Sequence, residues 1–292
     1  MLECMSSVEL RSWNALESGV DETYASPLPG EPAANDDKYS GGVVAICAGS
    51  PAFSGAGVLC TTAATRTTSS MVRYIGDSSA AIAANPEVVG HQDVDSAGRV
   101  QAWVIGPGRG TDDSAAAELR TVLERDEPVV VDADALTLLA QRADLRDVVR
   151  TRGCTVLTPH AGECERLAEA ESVEQHDRVE TACQLARALN CTLLLKGRET
   201  IIAEGEHAHV IDAGSSWGAT AGSGDVLAGI IGALIARPGQ AGGLREATTA
   251  VLIHSVAAHL SARTEFGFAP TSASRIAEAI PAAMAKLGTT ES

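Results

Sequence analysis

Positive charge is scarce in this sequence: 22 Lys and Arg stand against 38 Asp and Glu, a net charge of −16 over 292 residues. So acidic a chain repels the nucleic-acid backbone and anionic membrane surfaces, and neither is expected as a partner. An anionic ligand would have to be held locally, by glycine turns, helix ends or a metal. Long hydrophobic runs are also lacking, since no uncharged apolar stretch reaches the roughly 20 residues that cross a bilayer. The N-terminus carries early acids rather than a basic region leading into an apolar one, so no secretory signal is read there. The seven cysteines, at 4, 47, 60, 154, 164, 183 and 191, include no Cys-x-x-Cys pair. An odd, scattered set of thiols, several in apolar runs, fits a reduced, cytoplasmic protein rather than a disulfide framework. There is no Walker A lysine, no G-x-S-x-G elbow and no H-E-x-x-H. No G-x-G-x-x-G follows the first apolar run, which speaks against a Rossmann oxidoreductase.

What the chain does have is a repeated unit of short apolar run, polar turn and helix. Residues 1–38 are polar and broken by Pro27, Pro29, Gly30 and Pro32, which reads as a loose N-terminal extension. From 39 to 292 a single α/β domain is expected. Val43-Val44-Ala45-Ile46-Cys47 runs into Ala48-Gly49-Ser50, and Ala102-Trp103-Val104-Ile105 into Gly106-Pro107-Gly108-Arg109-Gly110. Val129-Val130-Val131 runs into Asp132-Ala133-Asp134, Thr155-Val156-Leu157 into Thr158-Pro159-His160, and Leu193-Leu194-Leu195 into Lys196-Gly197. Continuous apolar runs of this length predict strands buried on both faces of a mostly parallel sheet covered by helices. Ligands of such sheets bind beyond the carboxyl ends of the strands, where all five turns would lie. Helices are expected at 114–125, 136–150, 163–169, 176–189, 226–236, 244–263 and about 273–286, and a hairpin at 201–211.

The most pointed turn is Gly222-Ser223-Gly224-Asp225, which opens directly into the uncharged run 226–236. The first amides of a helix lack internal partners and sit at the positive end of its dipole, so an anion is welcome there. Glycines let backbone amides approach phosphoryl oxygens closely. Asp225 then has two readings: a helix cap, or a base that takes a proton from an attacking hydroxyl. His160, at a strand end three residues before Glu163, is a candidate ligand contact. Glu163 reads either as an acid favoured by the helix dipole or as part of a Mg²⁺ water network. Asp132 and Asp134 look like a paired-carboxylate metal site, but a cap for the helix beginning near Ala135 is preferred for Asp134. Lys196 ends a strand of leucines, so its charge must leave the sheet edge toward the crevice, where it can meet a phosphate.

Taken together these motifs resemble the ADP/ATP-dependent NAD(P)H-hydrate dehydratase family, a branch of the ribokinase-like fold. The resemblance runs from about residue 38 to the C-terminal helices. It is carried by Ala48-Gly49-Ser50 with Gly55-Ala56, Gly106-Pro107-Gly108-x-Gly110, Asp132-Ala133-Asp134-Ala135-Leu136, Thr158-Pro159-His160-x-Gly162-Glu163, Leu195-Lys196-Gly197 and Gly222-Ser223-Gly224-Asp225. It implies a three-layer ribokinase-like fold and repair of NADHX and NADPHX, the hydrated, redox-dead forms of the reduced cofactors. ADP, or else ATP, would phosphorylate the ring hydroxyl and phosphate would then be expelled, leaving AMP when ADP is the donor. The resemblance places the catalytic base at Asp225, the anion hole at Gly222, Ser223 and Gly224, and the hydrate contacts at Ala56, Gly108, His160 and Asp225. Nucleotide contacts fall on Lys196, Gly197, Arg198, Glu199, Thr200 and Gly224. Glu163 would organise Mg²⁺ indirectly, in a segment where related vitamin-precursor kinases carry Asn-x-x-Glu and this chain carries His160.

Two departures from the family pattern are expected to alter the shape of the substrate site. Thr67-Thr68-Ser69-Ser70 replaces a glycine-rich stretch, and Arg109 replaces a small apolar residue. The resemblance also implies a homotetramer, and a separate protein supplying the epimerase that makes the usable hydrate. The rival readings are a ribokinase-like kinase of a hydroxymethylpyrimidine or hydroxyethylthiazole type precursor, which His160 in place of Asn disfavours, and a non-catalytic nucleotide-binding protein, which the retained Asp225 disfavours.

Overall fold

A computed structural model describes residues 7–11, 28–68, 70–175, 177–240 and 243–288. Most of the extension expected over 1–38 lies outside them, as do Ser69 and His176, the first residue of an expected helix. In chain order the elements are β1 (Ser7–Arg11), β2 (Val44–Cys47), α1 (Ser54–Thr67), β3 (Val72–Ile75), α2 (Ser79–Ala84), β4 (Val89–His91) and β5 (Ala102–Ile105). Next come α3 (Asp113–Leu123), β6 (Val129–Val131), α4 (Asp134–Gln141), α5 (Ala143–Thr151), β7 (Thr155–Leu157), α6 (Ala161–Ala170), α7 (Arg178–Ala188) and β8 (Thr192–Leu195). The chain continues through β9 (Glu199–Glu204), β10 (His207–Asp212), α8 (Ser223–Ile235), α9 (Leu244–Ala262), the two-stranded β11 (Arg263–Thr264) and β12 (Gly267–Phe268), and α10 (Ala273–Gly288).

Ten strands form one sheet in the order β1-β10-β9-β8-β7-β6-β5-β2-β3-β4. All neighbours run parallel except β8 with β9 and β9 with β10, the hairpin expected near 201–211. The period-2 alternation of the strands divides the core in two. Val44, Ile46, Val104, Val130 and Val156 face a layer that includes residues of α1, α8, α9 and α10. Ala45, Cys47, Trp103, Ile105, Val129 and Val131 face residues of α3 to α7. With both faces covered, a strand has no polar side to show, which is why these runs are continuously apolar. No helix among the described residues is long and apolar enough to cross a membrane.

Three departures from the sequence reading stand out. The helix expected over 136–150 is two helices, because Arg142 is extended (φ −124°, ψ 104°) and separates α4 from α5. Within the segment read as a loose extension, β1 joins the sheet edge, pairing parallel with β10 from Ser7–His207 to Arg11–Ile211. β3 and β4 complete the opposite edge.

Helix α8 is buried on every side from Val226 to Ile235. It reaches that depth through two glycines: a Cβ at Gly229 would collide with the Cys60 carbonyl oxygen of α1, and one at Gly232 with Cγ2 of Val104 on β5. Close packing fixes the axis of α8, and so fixes where its first turn meets the carboxyl ends of the strands.

Candidate functional site

The turn before α8 is held by backbone geometry. Gly222 is the N-cap residue with φ 82°, a left-handed conformation that costs a side-chain-bearing residue about 1 kcal/mol or more. The Ser223 amide donates to the Thr220 carbonyl at 3.1 Å. Among the described residues that leaves the amides of Gly224 and Asp225 as the free donors of the first turn. Of the three amides expected to form an anion hole, Gly222 to Gly224, that of Ser223 is committed to Thr220. Asp225 is the third residue of α8 and makes no cap bond, so the reading of it as a helix cap is not what the geometry shows. Burial, Asp132 and Asp134 push its carboxyl up to about 6, against the pull of Lys196.

Three neighbouring strand ends bring charge to the same place. Asp132 follows β6 and is 1% exposed; its Oδ1 lies 2.7 Å from Nζ of Lys196, which follows β8. Glu163, in the first turn of α6 after β7, has Oε2 at 3.9 Å from the same ammonium. Burial opposes the Lys196 charge, but Asp132, Glu163 and Asp225 outweigh it and hold the ammonium above the ordinary lysine range. Burial likewise raises Glu163, more than Lys196 and the His160 amide lower it. A Cβ placed on Gly224 would sit 3.4 Å from Lys196 Nζ, so the ammonium stands directly over the first turn of α8.

Asp132 and Asp134 do not form the paired-carboxylate site that their spacing suggests. Between them Ala133 takes φ 52°, ψ −117°, a strained setting for a residue with a Cβ. Asp132 engages Lys196, whereas Asp134 Oδ2 accepts from the Gly110 amide at 2.8 Å and caps nothing, contrary to the role expected of it. No cluster of three or more His, Cys, Asp or Glu suited to a metal ion occurs among the described residues.

His160 is the N-cap of α6. Its Nδ1 accepts from the amides of Gly162 and Glu163 at 3.0 and 3.4 Å, and Glu163 Oε2 accepts from the His160 amide at 2.8 Å. This is a capping box with imidazole in the usual place of a hydroxyl. The ring remains exposed at the rim of a cavity of about 380 Å³. The cavity is also lined by Lys196, Gly197, Arg198, Thr200 and Gly224, five of the six expected nucleotide contacts, and by Ser223. Glu199 is outside the lining: its side chain is exposed and its carbonyl accepts from Arg178 at 3.0 Å. Ala56 and Gly108 form a separate pair, since a Cβ at Gly108 would lie 3.0 Å from Cβ of Ala56. They connect to the first turn of α8 through α1, whose Leu59 abuts Gly222, itself beside the Asp225 carboxylate. Asp225 thus adjoins Gly224, which lines the cavity, and shares Gly222 as a neighbour with Leu59 of the helix that carries Ala56.

Arg109, a departure expected to reshape the site, ties several elements together. It pairs twice with Glu118, and Nη1 donates to the carbonyls of Gly49 and Ile75 at 3.3 and 3.4 Å, joining the ends of β2 and β3 to α3. Thr67, in the other departure, is buried and donates to the Ala63 carbonyl within α1. The sequence reading missed His254, which lines the cavity from the middle of α9 with no local motif around it. It also did not join Asp132 to Lys196, 64 residues apart, though each was noticed alone.

A family profile described as NAD(P)H-hydrate dehydratase matches residues 44–282. The chain is 49% identical over 282 residues to a bifunctional NAD(P)H-hydrate repair enzyme of Corynebacterium glutamicum, covering 88% of this chain and 49% of that protein. It is 35% identical over 223 residues to an ADP-dependent (S)-NAD(P)H-hydrate dehydratase of Neisseria meningitidis, with 69% and 72% covered. The chain spans about half the length of these curated bifunctional relatives. In architecture it resembles an ADP/ATP-dependent NAD(P)H-hydrate dehydratase of Bacillus subtilis co-crystallised with ATP and Mg²⁺, with a TM-score of 0.76, 23% identity, and 97% and 99% of the two chains covered.

Proposed function

The chain belongs to the NAD(P)H-hydrate dehydratase family, and from that footing we propose that it dehydrates (S)-NADHX and (S)-NADPHX at the expense of ADP. The observation that carries the reading is a carboxylate raised to about 6 beside two free amides and an ammonium, at the head of a cavity. Asp225 takes the proton of the ring hydroxyl as that oxygen attacks the terminal phosphoryl group, and AMP departs. Charge developing on the phosphoryl oxygens meets the amides of Gly224 and Asp225 and the Lys196 ammonium. Loss of phosphate from the ring carbon, with a proton from its neighbour, restores the double bond. The nucleotide occupies the cavity beside Lys196 to Thr200, and the hydrate approaches from Ala56 and Gly108, with His160 at the rim.

Mg²⁺ would supply neutralisation of the phosphate charge when bound with the nucleotide. Both oxygens of Glu163 already face partners, Oε2 the His160 amide and Oε1 the His160 Nε2 at 3.2 Å, and Lys196 is the cation nearest the acids. Glu163 therefore fits a hold on Mg²⁺ through water rather than direct ligation. An epimerase that interconverts the hydrates is proposed as the functional partner, a role that the bifunctional name of the longer relatives accommodates within one polypeptide.

Incubating the protein with NADHX, Mg²⁺ and ADP is expected to restore NADH absorbance, with ATP as the comparison nucleotide. No recovery with either refutes the proposal. The pH profile carries a second mark. A base works only unprotonated, so kcat/KM is expected to fall about tenfold per pH unit below about 6 and to level off above it. An acid limb at the ordinary carboxylate value would remove Asp225 from the role.

A further inference from the structure

Ser223 is 5% exposed, yet its hydroxyl and its carbonyl both face a single atom, Nε2 of His254, at 2.8 and 3.1 Å. A carbonyl oxygen can only accept, so the proton of this ring sits on Nε2 and is shared between the two Ser223 oxygens. Burial drives the imidazole down to about 4, and Lys196 acts in the same direction against the bond to the Ser223 carbonyl, so the ring is neutral and has no second N–H. The consequence falls on the serine. Its hydroxyl oxygen is occupied as an acceptor from His254, and its own proton must find another acceptor. The Ser223 amide is already committed to Thr220, so the hydroxyl is the donor this residue has left, and both Ser223 and His254 line the cavity beside Gly224.

We propose that His254 is a positioning residue, which fixes the Ser223 hydroxyl as a third donor, beside the Gly224 and Asp225 amides, to the phosphoryl group of a nucleotide in this cavity. The inference rests on the phosphoryl-transfer reading above. A hydroxyl held in one orientation before the anion arrives loses no rotational freedom when it binds, and its bond to a charged oxygen is stronger than one to water. His254 stands near the middle of α9, a helix about 28 Å long at about 1.5 Å per residue, and brings this nitrogen to the first turn of α8.

A double-mutant cycle tests it. Ser223→Ala is expected to lower kcat about 100-fold, as loss of one preorganised donor does. His254→Phe keeps the ring shape, cannot donate, and is expected to lower kcat at least tenfold; added to Ser223→Ala it should lower it no further, because the hydroxyl it aims is gone. His254→Gln, which keeps a donor, should recover part of the loss and also serves if His254→Phe folds poorly. The same factor of loss in both backgrounds would overturn the proposal, since a merely structural histidine acts regardless of Ser223. ADP affinity by calorimetry on the same proteins separates the two levels of the argument. A wild type that binds ADP but never restores NADH refutes the reaction, while the cycle in ADP affinity still decides His254: about tenfold weaker for either single change and for the double. Unchanged ADP affinity in His254→Phe, with Ser223→Ala tenfold weaker, would overturn it.

Discussion

Asp225→Asn is expected to lower turnover by about 10³-fold, within the range that a general base contributes, while ADP binds within about twofold of the unchanged protein. The asparagine has the same size and stays in the first turn of α8, where Asp225 makes no cap bond to lose. What disappears is the acceptor for the hydroxyl proton. Stability provides an independent check on the same residue. Its carboxyl titrates near 6 in the folded protein, above its ordinary value, so ionisation at neutral pH works against the fold. An acid with a raised folded pKa contributes stability only as pH falls below that value, and takes it away above. Asp225→Asn should therefore melt no lower than the original at pH 7, and higher if the burial is the main cause. Near-normal turnover, or a destabilised variant at pH 7, would contradict the assignment.

Lys196→Met is expected to cost about 3–5 kcal/mol of stability in urea denaturation, a large fraction of what a domain has. The methionine fills the stem, but it leaves Asp132, 1% exposed, with its charge and without the ammonium at 2.7 Å. Adding Asp132→Asn should return most of the lost stability, because a neutral amide no longer needs the cation. Nucleotide affinity should stay weak in the double variant, since the charge over Gly224 is still missing. A Lys196→Met protein as stable as the original, or a double variant no more stable than the single, would show that the pair does not carry the energy assigned to it.

The parts legible in the sequence are those that make demands on consecutive residues. The apolar runs at β2, β5, β6, β7 and β8 follow from burial on both faces, and the turn at Gly222 to Asp225 follows from the need for backbone amides without side chains. The capping box of α6 is also local, although an imidazole in the place of a hydroxyl does not read as a cap. Other features depend on residues far apart in the chain. Nothing near Asp132 indicates Lys196, and nothing near His254 indicates Ser223, because each contact is made only when the sheet and the helix layer assemble. Ala133 shows a further limit: an alanine carries no mark of a positive φ, so the separation of Asp132 from Asp134, and with it the failure of Asp134 to cap, was invisible. The break at Arg142 was hidden for a similar reason, since arginine suits a helix interior and only the φ and ψ of the folded chain reveal the turn.

The central claim is that Asp225 activates a ring hydroxyl for phosphorylation before it leaves. NADHX labelled with ¹⁸O in that hydroxyl, incubated with ADP, Mg²⁺ and this protein, tests it directly through mass analysis of the inorganic phosphate released. The account predicts that the label appears in phosphate, in step with the NADH formed. Label released to water with unlabelled phosphate would mean that the hydroxyl departs without being phosphorylated, and would contradict it.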